Sequence, residues 1–340
     1  MTCAHCHAQM PPTGGRCPRC GRVTYARMGR PGAEGGIRLD GCRPEPPSPK
    51  DFRAVPRAMA LPTVVDLRPE CSAVEQQGQL GSCTANAIIG AFEFTQRTAT
   101  GRAQDLSRLF VYFNARMMSG AERQDAGATI GHGMAALLAF GAPPEAEWPY
   151  DVSAMATRPT EAAYEQARNN VPAEYARVDG VEHIRAAIAR NHPVVFASNI
   201  PERCYDEAYT TGVVPMPTST EMSQFNSRDG THAMLLVGYD LGAKVYHVRN
   251  SWGDGFGDRG YCRMAFDVFD TVMIPQSTWI LGNLAASGAF DVVRPKVELP
   301  TIEGGVKDLA AKMREEIRGT LTRDLDVAIS DVKKRFTPNR

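Results

Sequence analysis

Three side chains in this sequence have the types expected of a nucleophile and the groups that activate it: Cys83, His232 and Asn250. Cys83 ends the stretch "QGQLGSC" and is followed directly by the apolar run "TANAIIGAF", so it stands where a helix would begin. The partial positive charge of a helix N-terminus favours the thiolate, the form of cysteine that attacks a carbonyl carbon. A histidine held by a third group would complete such a centre. The competing interpretation is a buried, inert thiol.

The elements that must position these side chains can be predicted from apolar spacing. Helical spacing recurs in residues 84–97, 106–118 and 131–141. After about Val181, short β-type runs place His232 beside one strand and Asn250 at the end of another. Helices first and strands later predict an α+β domain in which the two classes are segregated.

Composition divides the chain into four parts. Residues 1–25 are polar and rich in cysteine, and residues 26–61 are rich in Gly, Pro and Arg, which indicates a linker or an extended segment lying on a neighbour. Residues 62–291 form the predicted globular domain, helical to about residue 180 and β-rich after it. Residues 303–336 have an apolar stripe at steps of three and four, which predicts a long amphipathic helix.

Charge and hydropathy give no sign of a nucleic-acid or membrane partner. The 340 residues include 38 basic and 38 acidic side chains, so no net charge marks a nucleic acid or a membrane as the partner. No apolar stretch approaches the roughly 18 residues needed to span a bilayer. The opening "MTCAHCHAQM" lacks the basic and apolar regions of a signal peptide, which predicts a cytoplasmic protein. In that compartment the nine cysteines are expected to serve metal binding or catalysis more than disulfides.

Two C-x₂-C pairs near the N-terminus predict a structural zinc site. Each pair can present two thiolates from a tight turn, and four thiolates close a tetrahedron around Zn²⁺. A segment of this size cannot build a core, so metal binding would supply its folding energy. Disulfides or an iron–sulfur site are the alternatives. The predicted ligands are Cys3, Cys6, Cys17 and Cys20.

Four motifs in order resemble those of the papain-like cysteine peptidases: "VVDLR" at 64–68, "QGQLGSC" at 77–83, "THAMLLVGYD" at 231–240 and "RNSWGDGFGDRGY" at 249–261. Cys83 and His232 are 149 positions apart, and Asn250 follows His232 by 18, as in that group. The resemblance extends from Leu61 to about Asp291. It implies a papain-like α+β fold with a helical left subdomain and a β-barrel-like right subdomain, meeting at a cleft between Cys83 and His232.

The resemblance also implies the role of each site residue. Cys83 would be the nucleophile, and His232 the general base and then the general acid. Asn250 would orient the imidazole through its side-chain oxygen, and Trp252 would shield that contact from water. Gln77 would donate its amide to the oxyanion together with the Cys83 backbone N–H. These roles predict a cysteine-type peptidase that acts on polypeptides through an acyl-enzyme, with no cofactor for catalysis.

The substrate-binding residues match the family pattern less closely. Gly127, in "DAGATIGHG", is the best candidate for binding substrate backbone, and Ala197 and Ala233 are expected to border the pocket for the residue two before the scissile bond. Leu80 stands where many secreted members have a disulfide cysteine, and Thr84 where an aromatic residue is usual. These departures are typical of divergent bacterial members and favour a reduced compartment.

Family members commonly carry an inhibitory pro-segment that lies through the cleft. The segment from Arg27 to Arg57 is either such a segment, restraining access, or a flexible tether. Residues 1–25 resemble the short zinc ribbons found at the start of many bacterial proteins. This zinc ribbon is expected to dock or target a protein, in preference to nucleic acid, because its basic excess is modest and it lacks a stacking platform of aromatic side chains. The C-terminal helix either folds back on the domain or forms a coiled coil with itself or another protein.

Three other functions fit the same residues. A papain fold could serve binding alone, or an amidase or transpeptidase could use the same triad with an amine as acceptor. The ribbon could also be primary and deliver the enzyme domain to nucleic acid. The substrate, the choice between endo- and exopeptidase and the oligomeric state leave no mark in the sequence.

Overall fold

The computed structural model describes residues 14–16, 23–25, 38–46, 48, 51–102, 104–225 and 231–293. Within these ranges helices pack against a mixed sheet, which confirms the predicted α+β class. The zinc ligands predicted at positions 3, 6, 17 and 20 and the helix predicted for 303–336 lie outside the described residues. No helix in the described part of the chain is both long and apolar enough to cross a bilayer.

The three predicted helices are present, and the first is central. The helices are α1 Cys83–Thr100, α2 Arg108–Met117, α3 Ile130–Phe140, α4 Glu161–Ala167, α5 Val181–Ala189, α6 Glu202–Thr211, α7 Ser219–Gln224 and α8 Phe266–Val272. Every residue of α1 from Cys83 to Phe94 is buried, because small residues such as Ala85 and Gly90 let neighbouring elements approach the helix from all sides. Gly101, at φ 72°, ends α1 in the left-handed conformation that glycine adopts readily.

The strands form a small hairpin and one large sheet. They are β1 Gly14–Arg16, β2 Val23–Tyr25, β3 Arg53–Pro56, β4 Val64–Asp66, β5 Glu174–Arg177, β6 Val194–Asn199, β7 Val213–Val214, β8 Thr231–Asp240, β9 Val245–Arg249, β10 Tyr261–Ala265, β11 Trp279–Gly282 and β12 Phe290–Val293. The hairpin pairs β1 with β2, and the sheet runs β12-β3-β5-β11-β6-β8-β9-β10-β7, with β4 on β8. Most neighbours are antiparallel, whereas β3 pairs with β5, and β7 with β10, in parallel.

Strand β8 is the scaffold of the site. It pairs with β6, β9 and β4, and all of its residues except the last are buried. Gly238 allows β4 to approach closely, because a Cβ there would lie 2.4 Å from the Val65 carbonyl oxygen. The register places His232 opposite Ser198 and Ala233 opposite Ala197.

The helical and β-rich regions predicted from the sequence are less cleanly separated than expected. Helices α5 to α8 lie beyond residue 180, among the strands, and β3, β4 and β5 lie before it. Part of the 26–61 segment also belongs to the folded body. Strand β3 joins the sheet by pairing with β12, and Leu39 and Cys42 are 3% and 4% exposed.

Candidate active site

Cys83 is the first residue of α1, as its sequence context predicts, and its side chain is fully buried. The loop before it, residues 77–82, is fixed from two sides. The Tyr150 hydroxyl donates to the Gln77 carbonyl at 2.9 Å, and the Gly81 N–H donates to the Asp125 carboxylate at 3.1 Å. The N–H of Ala233 reaches the Cys83 sulfur at 3.5 Å. The sulfur therefore lies against the residue that follows His232.

His232 is held by Asn250 in one orientation. Its Nε2 lies 2.8 Å from Asn250 Oδ1, and Oδ1 also accepts the Ser251 N–H at 2.8 Å. A side-chain carbonyl oxygen only accepts, so Nε2 carries the proton and Nδ1 of the neutral ring is the free base. Nδ1 is buried and has no hydrogen-bond partner among the described residues. The structure thus leaves one nitrogen of His232 available to take a proton.

Burial disfavours both charged forms of the pair in this closed state. It raises the pKa of the Cys83 thiol to about 12, against a smaller lowering by the N–H groups of Ala233 and Thr84. It also lowers the pKa of His232 to about 4, against the raising effect of the Asn250 hydrogen bond. Neither side chain is exposed to solvent. Burial therefore favours the neutral thiol and the neutral imidazole in this state.

Gln77 is fully buried, and a neighbouring residue orients its amide. The Ser251 hydroxyl donates to Gln77 Oε1 at 2.6 Å, so the Nε2 group is the end that points away as a donor. Nε2 donates to the carbonyl oxygens of Leu80 at 3.0 Å and Arg38 at 3.1 Å. The second acceptor, Arg38, belongs to the 26–61 segment. A carbonyl group therefore already lies at the donor to which the resemblance gives the oxyanion role.

The Trp252 indole packs against the His232 ring. Its ring centroid lies 4.9 Å from that of His232, with 35° between the ring planes. The Tyr205 ring meets both the histidine and the indole edge-on, at 5.7 Å and 4.8 Å. Trp252 is 1% exposed. Two aromatic rings therefore keep water from the His232–Asn250 hydrogen bond.

Residues 38–46 form an irregular segment that is held on two sides by backbone hydrogen bonds. The Cys42 N–H donates to the Thr231 carbonyl at 3.0 Å. Ala128 N–H donates to the Gly41 carbonyl at 3.0 Å, and Arg43 N–H donates to the Ala128 carbonyl at 2.9 Å. Cys42 and Ala128 form a parallel bridge. The segment is thus bound by backbone on both walls of the cleft.

The segment passes very close to the loop before Cys83. A Cβ on Gly41 would lie 2.6 Å from the Gly81 carbonyl carbon, a distance at which atoms overlap. Gly127, at φ 71°, makes room on the other side, since a Cβ there would lie 2.4 Å from the Gly41 carbonyl oxygen. Glycine is needed at both positions because the two backbones touch there.

Arg38 fills the end of the cleft nearest Gln77. Its guanidinium donates from Nη1 to the Asp125 carboxylate and, at 2.9 Å, to the Asp125 carbonyl. Its Nε donates to the carboxylate of Asp40, two residues further along the same segment. The Asp125 carboxylate also accepts the Tyr112 hydroxyl, and Tyr112 Oη in turn accepts the Gly127 N–H at 3.1 Å.

The predicted substrate-binding residues lie around this segment with one shift. The segment pairs with the backbone of Ala128 and not with that of Gly127, whose N–H is taken by Tyr112. Ala197 and Ala233 face each other across β6 and β8, and both are buried. The contact of Ala233 with the Cys83 sulfur places this pair beside Cys83.

Asp125, Ser251 and Ala128 contribute to the site but were not singled out from the sequence. Ser251 directly follows Asn250, and this adjacency is the only feature of the sequence that points to a role for Ser251 in the site. Asp125 is the first residue of the stretch "DAGATIGHG" that contains Gly127, but nothing in that pattern indicates a role for the carboxylate. Among the described residues, no group of three His, Cys, Asp or Glu side chains could hold a metal ion. The described cysteines, at positions 42, 71, 83, 204 and 262, are free and buried.

Residues 61–279 match the family described as "Papain family cysteine protease". A relative in Acanthamoeba polyphaga mimivirus, an uncharacterized peptidase C1-like protein, is 33% identical over 234 residues, which are 64% of this chain and 74% of the viral protein. Rat cathepsin S is 27% identical over 212 residues, which are 60% of this chain and 61% of that protein.

Solved structures agree with the sequence comparison. The fold is similar to that of xylellain, a cysteine protease from Xylella fastidiosa, with a TM-score of 0.64 and 31% identity over 72% of this chain and 96% of xylellain. Digestive procathepsin L 3 of Tenebrio molitor has the same fold at a TM-score of 0.56 and 21% identity, over 72% of this chain and 76% of its own. The expected papain-like fold is thereby confirmed for the central domain.

Proposed function

The chain belongs to the papain family of cysteine proteases, and from this premise we propose that it hydrolyses peptide bonds through Cys83, His232 and Asn250. The observation that carries the proposal is the position of the Cys83 sulfur, 3.5 Å from the N–H of Ala233. Ala233 directly follows His232, whose Nδ1 has no partner within the described part of the chain. A polypeptide is the substrate that such an enzyme implies.

In the proposed reaction, His232 Nδ1 takes the Cys83 proton and the sulfur attacks the peptide carbonyl carbon. The oxyanion accepts hydrogen bonds from Gln77 Nε2 and the Cys83 N–H. As the tetrahedral intermediate collapses, His232 returns the proton to the leaving amine and an acyl-enzyme remains. Water, deprotonated by His232, then hydrolyses the thioester. Asn250 supports each step by holding Nε2, because the same nitrogen must keep its proton throughout.

The test is peptide-library cleavage by the wild type and by Cys83→Ala, read by mass spectrometry. We expect products from the wild type alone, and reaction of Cys83 with an epoxide thiol trap. Products joined to an added amine would instead indicate a transpeptidase. Absence of both cleavage and trapping, in the wild type and in the opened variant described below, would indicate a papain fold that serves binding.

The proposal extends to residues 38–46, which would act as an inhibitory segment and not as a flexible tether. Four observations support this: the backbone pairing with Ala128, the N–H of Cys42 on Thr231, the carbonyl of Arg38 on Gln77, and the full burial of Cys83. A peptide substrate needs the same donors and acceptors. The segment would also suppress the thiolate, because the burial that it completes raises the pKa of Cys83.

Gly41→Val tests the inhibitory role without removing any part of the chain. The added side chain would overlap the backbone of Gly81, and overpacking of this kind costs about 1–3 kcal/mol. We expect the rate of peptide cleavage to rise by about tenfold or more. Gly242→Val, in the exposed turn between β8 and β9, is the matched control. An unchanged rate with Gly41→Val would assign the segment to a tether.

The remaining proposals concern the parts outside the described residues. We propose that Cys3, Cys6, Cys17 and Cys20 bind a structural zinc ion. The hairpin of β1 and β2 supports this site, because Cys17 directly follows β1 and Cys20 shortly precedes β2. One zinc per chain, measured by elemental analysis and lost on Cys→Ser substitution, is expected. The ribbon and the 303–336 helix would bind a protein partner.

The setting of the enzyme is also proposed. Free, buried thiols at the described cysteine positions support a reduced, cytoplasmic location, which fractionation tests. The identity to xylellain supports a bacterial type.

A further inference from the structure

We propose that Asp125 is a specificity-determining residue, whose carboxylate selects substrates with arginine as the residue that precedes the scissile bond. This rests on the proposed function, because it takes Gln77 as the donor to the carbonyl group that is attacked. It names a side-chain preference where the sequence offered none.

The segment in the cleft provides the geometry. The Arg38 carbonyl oxygen accepts a hydrogen bond from Gln77 Nε2 at 3.1 Å, the contact expected of the substrate carbonyl. From that same residue the guanidinium reaches both the carboxylate and the carbonyl oxygen of Asp125. An arginine whose carbonyl lies at Gln77 therefore has a side chain of the length needed to reach Asp125.

The carboxylate is held by the catalytic domain and not by the segment. The Gly81 N–H, two residues before Cys83, donates to both Asp125 oxygens at 3.1 and 3.3 Å. The Tyr112 hydroxyl donates to Oδ1 and is itself anchored by the Gly127 N–H. Tyr112 is fully buried. The acceptor is consequently in place before any ligand arrives, as a specificity pocket requires.

Departure of the segment leaves this carboxylate without the cation that pairs with it. Arg38 and Asp125 are only 16% and 21% exposed in the closed state, and Asp40, which shares the guanidinium, leaves with Arg38. A planar guanidinium with several fixed donors replaces that partner better than a neutral side chain of the same shape. The preference should therefore be for charge and not for length alone.

The experiment compares two probes that differ in charge alone. Peptidyl vinyl sulfones with arginine or citrulline at the position next to the reactive group are reacted with the full chain, and labelling of Cys83 is followed by mass spectrometry. Citrulline has the shape of arginine without its charge. Opening of the segment changes both rates by the same factor, so the ratio of the two rates reports the pocket alone.

We expect the arginyl probe to react about tenfold to hundredfold faster, the range for a hydrogen bond to a charged group. Asp125→Asn should bring the ratio close to one, and Asp125→Glu should restore part of it. Asp40→Asn, the matched control, also removes a carboxylate from Arg38 but belongs to the segment, and should leave the ratio unchanged.

Two results would overturn the inference while leaving the proposed function intact. They are equal labelling by the two probes in the wild type, and an unchanged ratio in Asp125→Asn. Either would make Asp125 an anchor of the segment only. If neither probe labelled Cys83 in the wild type or in Gly41→Val, Cys83 would not be a nucleophile, and the proposed function would be wrong as well.

Discussion

The hydroxyl of Ser251 donates to the side-chain oxygen of Gln77 at 2.6 Å, although 174 positions separate the two residues. Ser251 also gives its backbone N–H to Asn250 Oδ1. Ser251 therefore orients both the Gln77 amide, which would donate to the oxyanion, and the Asn250 amide, which holds the histidine. The two halves of the site are set relative to each other by this serine, because each half is fixed through one of its groups.

Loss of the Gln77 donor should reduce turnover without preventing reaction of the nucleophile. In a chain opened by Gly41→Val, we expect Gln77→Met to lower kcat by about 10²–10³, as removal of an oxyanion donor does. Ser251→Ala, which only frees the amide to rotate, should cost about tenfold or less. Initial rates on one fluorogenic peptide measure both. Equal losses in the two variants would contradict the assignment of the donor.

Asn250 should matter for the proton on the histidine more than for substrate binding. Asn250→Ala removes the acceptor at 2.8 Å from Nε2 and is expected to lower kcat by about 10² or more with little change in KM.

Asn250→Asp keeps an acceptor but adds charge, which raises the pKa of a neighbouring imidazole. The pH profile of kcat/KM should then shift upward along its histidine-dependent limb. An unchanged pH profile would show that residue 250 does not influence the protonation of His232.

The lowered pKa of His232 predicts a pH dependence of stability. Because the folded-state pKa is about 4 and the unfolded value is about 6.5, folding releases the proton of this ring. Its contribution is complete above pH 6.5 and is lost as pH falls toward 4. It amounts to about 3 kcal/mol at 1.36 kcal/mol per pKa unit. Urea unfolding at pH 7 and pH 4.5 measures it.

His232→Gln is the control for that titration. Other groups contribute equally to both proteins, so the difference between the two stability curves isolates His232. The variant should lose less stability than the wild type between pH 6.5 and 4.5. Parallel curves would mean that the ring is more hydrated than its burial indicates.

Gly238 should be intolerant of a side chain. A Cβ would lie 2.4 Å from the Val65 carbonyl oxygen, so Gly238→Ala must separate β4 from β8. We expect it to lower the free energy of unfolding by about 1–3 kcal/mol, measured by urea titration. Gly242→Ala in the nearby exposed turn should change it by less than about 0.5 kcal/mol, and similar values for the two variants would refute the close approach.

The parts of the site that could be predicted from sequence are those carried by a contiguous motif. Cys83, His232 and Asn250 lie in stretches whose local pattern reports a helix start or a strand. Asp125 has no such pattern, because its role comes from the backbone N–H of Gly81, 44 positions away. The sequence also does not show whether residues 38–46 are a linker or an inhibitory segment. Periodicity does not report an extended chain that is held by backbone hydrogen bonds, and only the approach of Gly41 to Gly81 reveals the fit.

Because residues 38–46 are covalently joined to the domain that they occupy, they would compete with substrate at a fixed effective concentration. Short tethers of this kind reach the millimolar range. A separate inhibitor dissociates when the protein is diluted, whereas this one would remain bound at any dilution. The rate of turnover would then depend on what displaces residues 38–46. A weakly binding peptide would not be cleaved, even where the enzyme is dilute.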